Sequence, residues 1–166
     1  MAVPAHRAKQ NQRSYSIRQA RSTDAENLYA FDEVSQHSHS RRKFIERTIQ
    51  AECCFVIITE EQVIGYAVLE YSFYEEGFVS MLYIHRDYRK QGAGEFLMRY
   101  LEPLCKTSKL FASTNLSNQP MQSLFKKLGY VLSGVIHDLD EGDPELVYVK
   151  YLTAREVPKP GPDEPQ

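Results

Sequence analysis

The sequence predicts a single domain of mixed α/β (α+β) class, and three observations carry that prediction. The 166 residues suffice for one proper hydrophobic core and are short for two. Strand-period and helix-period segments follow one another in the order β, α, α, β, β, β, α, β, α, β, β, with no internal repeat. The centre of the chain, Phe78–Ile84, is apolar on both alternating faces apart from Ser80, the mark of a strand buried on both sides. It runs through a basic, glycine-containing turn, His85–Gly94, into an amphipathic helix.

Taken in order, residues 1–13 are polar, basic and without period, and read as a flexible arm. Tyr15–Gln19 reads as a first strand. Ser22–Glu26 carries helix-capping chemistry, and Leu28, Phe31 and Val34 follow at helical spacing. Ser35–Ser40 reads as a loop, where His37 and His39 would suit a metal only if further ligands converged. Arg41–Gln50 forms a second helix with Phe44, Ile45 and Ile49 on one side. Cys54–Thr59 and Val63–Tyr71 make an antiparallel hairpin about a Glu60–Gln62 turn. A turn at Glu75–Gly77 leads into the central strand. The helix after the glycine turn places Ala93, Phe96, Leu97, Tyr100, Leu101 and Leu104 on one stripe, and Pro103 ends or kinks it.

Leu110–Thr114 is a further strand. Asn118 caps the next helix, Pro120 suits its first turn, and Met121, Leu124, Phe125 and Leu128 form its stripe. Gly129 stands where a left-handed residue closes a helix. Tyr130–Ile136, an Asp/Gly-rich turn and Leu146–Leu152 complete the pattern. The proline-rich tail from Val157 to Gln166 is too polar to pack.

Composition is that of an ordinary globular chain, with 42% hydrophobic and 25% charged residues. A net charge of −2 offers no general reason to bind nucleic acid or an anionic membrane. No apolar run approaches the ~20 residues that span a bilayer, and the N-terminus lacks the apolar core of a signal peptide. Cys53, Cys54 and Cys105 show no metal-ligand spacing. A reduced, cytoplasmic protein without a bound metal is the expectation.

The free N–H groups at a helix start, together with its dipole, make the glycine turn an anion site. A P-loop needs G-x-x-x-x-G-K-[ST], and no such lysine follows Gly94. A Rossmann fingerprint needs a small residue where Leu97 stands, and the preceding hairpin argues against a doubly wound sheet. What remains is R-x-x-G-x-G in Arg89–Gly94, behind the strand Leu82–Ile84. A second block, Asn118–Tyr130, is similar to N-x-x-A-x-x-L-Y-x-K-x-G-F. Through these two blocks and the order of its elements, the chain resembles the GNAT superfamily of acetyl-CoA-dependent N-acetyltransferases over residues 14–156. R-x-x-G-x-G alone is a weak motif; both blocks at this separation are specific.

The resemblance implies a mixed, mostly antiparallel sheet flanked by helices. It also implies acetyl-CoA as co-substrate and an amine, small or on a protein, as acceptor. On it, the N–H groups of Gln91, Gly92, Ala93, Gly94 and Glu95, with Arg89 and Lys90 nearby, hold the coenzyme A pyrophosphate. Leu82, Tyr83 and Ile84 form a rail for the pantetheine arm, and one N–H there polarises the thioester carbonyl. Asn115 and Asn118 match positions on the opposite wall. Phe125 stands where many members carry the tyrosine that protonates the leaving thiolate, so it can only pack against the coenzyme. Loss of a bare thiolate, a water, Ser123, Tyr130 or Tyr83 would have to substitute. Members of the family often pair as homodimers, though no residue pattern here marks such an interface.

Acyl transfer to an amine needs the neutral nucleophile, and a lysine-like amine has a pKa near ~10.4. A base is therefore required. Glu70 is the candidate, on a strand face shared with Ile64, Tyr66 and Val68, where desolvation would tune it. Cys105 has no histidine near it in sequence and reads as a packed cysteine rather than a nucleophile.

Overall fold

Among the described residues, the strands Glu76–Ile84 and Lys109–Asn115 form the one parallel neighbour pair in an otherwise antiparallel seven-stranded sheet, and that pair fixes where a site can open. The structure is a computed structural model and describes residues 14–152. The arm expected at 1–13, the tail at 157–166 and the domain's last residues, 153–156, lie outside the described residues. The elements are β1 (Ser16–Gln19), α1 (Ala25–Phe31), α2 (Glu33–His37), α3 (His39–Gln50), β2 (Cys54–Thr59), β3 (Gln62–Phe73) and β4 (Glu76–Ile84). α4 (Ala93–Leu101), β5 (Lys109–Asn115), α5 (Gln119–Lys127), β6 (Val131–Ile136) and β7 (Glu145–Tyr151) follow. Strand order is β1-β2-β3-β4-β5-β7-β6.

Each sheet face has its own apolar cluster. Under α4 and α5, Leu97, Leu101 and Phe125 pack on Ala67, Val79, Leu110, Ala112 and Tyr148. On the other face, Leu28 of α1 and Ile45 of α3 pack on Cys54, Val56, Tyr66 and Val68. This second cluster draws its strand residues from β2, β3 and β4, so among the described residues helices cover only that half of the face.

Most expected elements appear, with four differences. Ser35–Ser40 is not a loop: α2 runs through His37 and α3 begins at His39, with Ser38 capping by accepting from the Arg41 N–H. His37 and His39 both face solvent. Ile64 does not share a face with Tyr66 and Val68, because β3 carries a bulge there. Ile57 pairs with Gly65 and Ile58 with Val63, leaving Ile64 as the extra residue, and it points into the α4 cluster. On α4 the buried stripe is Ala93, Leu97, Met98 and Leu101. Phe96 is 43% exposed, edging toward the Tyr15 ring, and Tyr100 edges toward Phe55. Pro103 stops the helix, so Leu104 falls in a 3-10 turn off the stripe. Finally, Leu82, Tyr83 and Ile84 are half-exposed rather than buried on both sides, for a reason that belongs to the site.

The entry to α1 is pinned by Asp24, which accepts from both Arg18 Nη atoms, at 2.7 and 2.9 Å, and from the Arg21 N–H at 2.7 Å. The Arg18 hydrogen bonds, ahead of the opposing burial, hold its carboxyl below the usual carboxylate range. A depressed folded pKa gives stability that is complete above the unfolded value of ~3.9 and is lost as pH falls through the folded one. Thermal midpoints of wild type and Asp24→Asn should therefore differ at pH 6, and the gap should narrow as pH falls below ~3.9. A gap unchanged down to pH 2 would contradict this.

Candidate functional site

β4 pairs with β3 along most of its length, but its ladder with β5 covers only Gly77–Leu110, Phe78–Phe111 and Val79–Ala112. The next residue, Ser80, is a bulge: Val68 pairs with Met81 and Leu69 with Val79. A bulge bends its strand and sharpens the twist. β5 meanwhile stays on β7 through Asn115. The two parallel strands thus part above Val79, opening a V one strand wide, ~16 Å long at ~3.3 Å per residue. That explains the half-exposure of Leu82–Ile84. The His85 N–H donates to Ile64 O on β3 at 2.8 Å. Backbone direction alternates along a strand, so the N–H and C=O groups of Leu82 and Ile84 point into the V.

The open end of the V is closed by the glycine turn. Gly92 is the N-cap of α4 at φ +89°, with no side chain capping the helix. A non-glycine residue resists that conformation, and a Cβ there would project into open space. Lys90 also takes a positive φ, 58°. The turn is braced by the Tyr15 hydroxyl on Gln91 O, by Gln91 Nε2 on Asp87 O and by Arg89 Nε on Ile84 O, each at 2.9 Å. Arg89 also lies over the Tyr83 ring, 5.3 Å from its centroid. In the first turn of α4, Glu95 is bonded to Lys127 and to Arg99, and these cations, Lys127 foremost, hold its carboxyl below the usual range. A parted parallel pair with an uncapped helix start at its mouth is a slot for an extended, amide-bearing chain ending in an anion.

The family model described as the acetyltransferase (GNAT) family matches residues 15–130. The chain belongs to the GNAT acetyltransferase family. A GNAT-family acetyltransferase structure from Bacillus cereus has 27% identity and a TM-score of 0.79, over 85% of this chain and 99% of that one. The ribosomal-protein-S18-alanine N-acetyltransferase of Escherichia coli matches at 18% identity and TM-score 0.69, over 87% and 98%. Arabidopsis thaliana Naa50, in complex with the bisubstrate analogue CoA-Ac-MVNAL, matches at 17% and 0.68, over 84% and 99%. Among curated proteins there is no match. This GNAT chain is thus an acetyltransferase whose co-substrate is acetyl-CoA, and its slot and helix start suit that molecule's pantetheine and pyrophosphate. Among the described residues no group of His, Cys, Asp and Glu converges as a metal site, and no helix is long and apolar enough to cross a membrane.

Glu70 stands at the foot of the V, opposite Phe78. Its side chain is 10% exposed; Oε1 meets Arg47 Nη1 at 2.8 Å and Oε2 accepts from Ser80, the bulge residue. The sequence suggested a desolvated carboxylate, and the structure adds a guanidinium and a hydroxyl to it. Asn115 donates from Nδ2 to Asp140 Oδ2 at 2.8 Å and to Asp143 O at 3.3 Å, fastening the β6–β7 loop beside the V. Asn118 caps α5 by accepting from the Met121 N–H.

Phe125 is 1% exposed, its ring 5.6 Å from Tyr130 and 5.1 Å from Tyr148. Tyr130 immediately precedes Val131, which pairs with Val149 at the level of Phe111, below the point where β4 and β5 part. Ser123 is on the exposed side of α5 and the Tyr83 hydroxyl accepts from the Glu33 N–H at 3.1 Å. Phe125→Tyr places a hydroxyl in a position that is 1% exposed and packed on the rings of Tyr130 and Tyr148. We expect a loss of about 1–3 kcal/mol in stability and no gain in kcat. A faster enzyme of undiminished stability would refute that.

Sequence reasoning missed a second cluster on the same wall. Asp32, 0% exposed, uses Oδ1 to accept from the Val34 and Ser35 N–H groups and Oδ2 to accept from Tyr66 at 2.5 Å and Arg41 at 3.2 Å. Arg41 also contacts Met81 Sδ at 3.0 Å, and Tyr83 lies between the rings of Tyr66 and Phe31. Burial, then the Asp32 bond, raises the Tyr66 pKa, so it remains a donor. The α1–α2 corner is thereby locked against β4 beside the V. The one sequence signal was Asp32 before Glu33 at the start of α2, a capping pattern.

Proposed function

We propose that the protein is an N-acetyltransferase that moves the acetyl group of acetyl-CoA directly to an amine. The observation that carries the proposal is the V between β4 and β5, with the α4 start at its mouth. The N–H groups of Gln91–Glu95, with Arg89 and Lys90, hold the pyrophosphate. The arm then runs down the V along Leu82–Ile84, and the acetyl end lies deepest. Leu82 N–H, the inward-pointing donor nearest the foot of the V, polarises the thioester carbonyl. Asn115, Asn118 and Phe125 shape the opposite wall, their side chains being committed within the protein. Glu70 takes the amine's proton, directly or through water, as the N–C bond forms and the C–S bond breaks. The thiol leaves as its thiolate, which a pKa near ~8.5 makes tolerable without a general acid. Three free cysteines agree with a reduced, cytoplasmic setting.

Amine-dependent release of free thiol from acetyl-CoA, screened over small amines and peptide N-termini, tests the proposal. The rival reading, favoured by Phe125, is a silent acyl-CoA-binding module; tight binding of the coenzyme with no thiol release from any amine would establish it. Gly92→Val tests the pyrophosphate assignment. A β-branched residue at φ +89° costs ~1–2 kcal/mol locally and blocks the anion's approach, so KM for acetyl-CoA should rise about 10–50-fold at similar kcat. An unchanged KM would remove the turn from the coenzyme site.

A further inference from the structure

We propose that the groove on the open face of β5, β7 and β6 receives the acceptor's side group, and that the acceptor is a primary amine bearing an aromatic, apolar substituent. The inference rests on the acetyltransferase reading, which puts the reacting amine beside Glu70. Among the described residues, helices cover this face of the sheet over β2–β4 only, and beyond β4 lies a groove of about 500 Å³. That lies within the ~300–1,000 Å³ of small-molecule pockets. Its floor is aromatic: the Phe73 ring lies 5.0 Å from Phe78 and 5.3 Å from Phe111. Tyr74 stands edge-on to Phe73 at the rim, 86% exposed.

Phe78 links the groove to the reaction site, because its ring packs on that of Phe73 in the groove. Phe78 is the cross-strand partner of Glu70 on one side and the lateral partner of Phe111 on the other. The Glu70 backbone therefore lies about one strand spacing, ~4.8 Å, from that of Phe78 and two from that of Phe111. An ammonium at Glu70 with a flat ring two or three bonds away spans that distance. The charged groups lining the groove, Glu76 and Lys109, face each other at 3.9 Å. They cancel, and nothing there favours a polyamine or a phosphorylated acceptor. Val135 and Ile136 of β6 complete an apolar wall.

Gly134 supplies a clean test, because it lines the groove, keeps an ordinary φ and has open space where a Cβ would sit. With acetyl-CoA as donor, 2-phenylethylamine should exceed both methylamine and spermidine at least tenfold in kcat/KM. Gly134→Phe should abolish that preference while leaving KM for acetyl-CoA and turnover of methylamine within twofold. Calorimetric titration of 2-phenylethylamine into the protein with desulfo-coenzyme A reads the subsite without turnover. Should no amine release thiol, the acetyltransferase reading fails, yet binding by wild type and not by Gly134→Phe would still support the subsite. Equal rates across the panel, a preference for spermidine, or discrimination that survives Gly134→Phe would overturn the proposal. So would sedimentation as a dimer that Gly134→Phe splits, since a second copy would then cover the groove.

Discussion

Asp32→Ala is expected to lower stability by about 3–5 kcal/mol, the usual result of removing one partner of a buried ion pair. The carboxylate is fully buried and serves four donors. Removing it leaves the Arg41 guanidinium, a fifth exposed, without its counter-ion. It also leaves the Tyr66 hydroxyl, the buried Ser35 N–H and the Val34 N–H without their acceptor. Against a typical total of about 5–15 kcal/mol, such a loss takes about a fifth or more of the folded state's margin. For a chain of this size the thermal midpoint should fall by about 6–20 °C. Asp32→Asn, which keeps one carbonyl oxygen for the α2 cap, should fall between the two. Arg18 and Asp24, an ion pair that shares no hydrogen-bond partner with this cluster, serve as the comparison pair. A midpoint within about 2 °C of wild type would mean that the cluster does not lock the α1–α2 corner.

That cluster marks the limit of what the sequence could tell. Local patterns were legible because each lies within one window. Asn118, Pro120 and Gly129 bracket α5, where Asn118 caps and Gly129 takes φ +85°. The Glu60–Gln62 turn between β2 and β3 was equally visible, as were the basic turn and its glycines. Asp32, Arg41 and Tyr66 come from two loosely patterned helices and a strand, and their meeting depends on a packing that no window contains. The same holds for the V. Its two strands are 25 residues apart between Ile84 and Lys109, and nothing in either says that their ladder stops after three pairs. Bulges are hardest of all: one extra residue, Ile64 or Ser80, reverses the side-chain alternation on which strand reading rests. Glu70 shows the consequence. It lies on the expected strand and shares a face with Tyr66 and Val68 but not with Ile64, and its bonds to Arg47 and Ser80 depend on α3 and on a bulge.

Those bonds make Glu70→Gln the sharpest test of the chemistry. If the carboxylate is the base, kcat near pH 7 should fall about 10²–10⁴-fold, with KM for acetyl-CoA unchanged. The pH dependence separates this from mere disturbance of the wall. Without a base the variant depends on amine that is already neutral, a fraction that rises tenfold per pH unit below the amine's pKa near ~10.4. Its rate should thus climb about tenfold per unit from pH 7 to 9, while wild type rises less steeply. Glutamine preserves the shape, its carbonyl oxygen can still accept from Arg47 while its NH2 donates to the Ser80 hydroxyl oxygen, and Arg47 is 58% exposed, so the fold should tolerate the change. Arg47→Ala gives the complementary result. It removes the cation that an incoming ammonium must share the carboxylate with, and acceptor KM should fall if both compete for Oε1. Parallel pH profiles for wild type and Glu70→Gln would instead confine Glu70 to holding α3 against the sheet, and the proton would have to leave by water through the V.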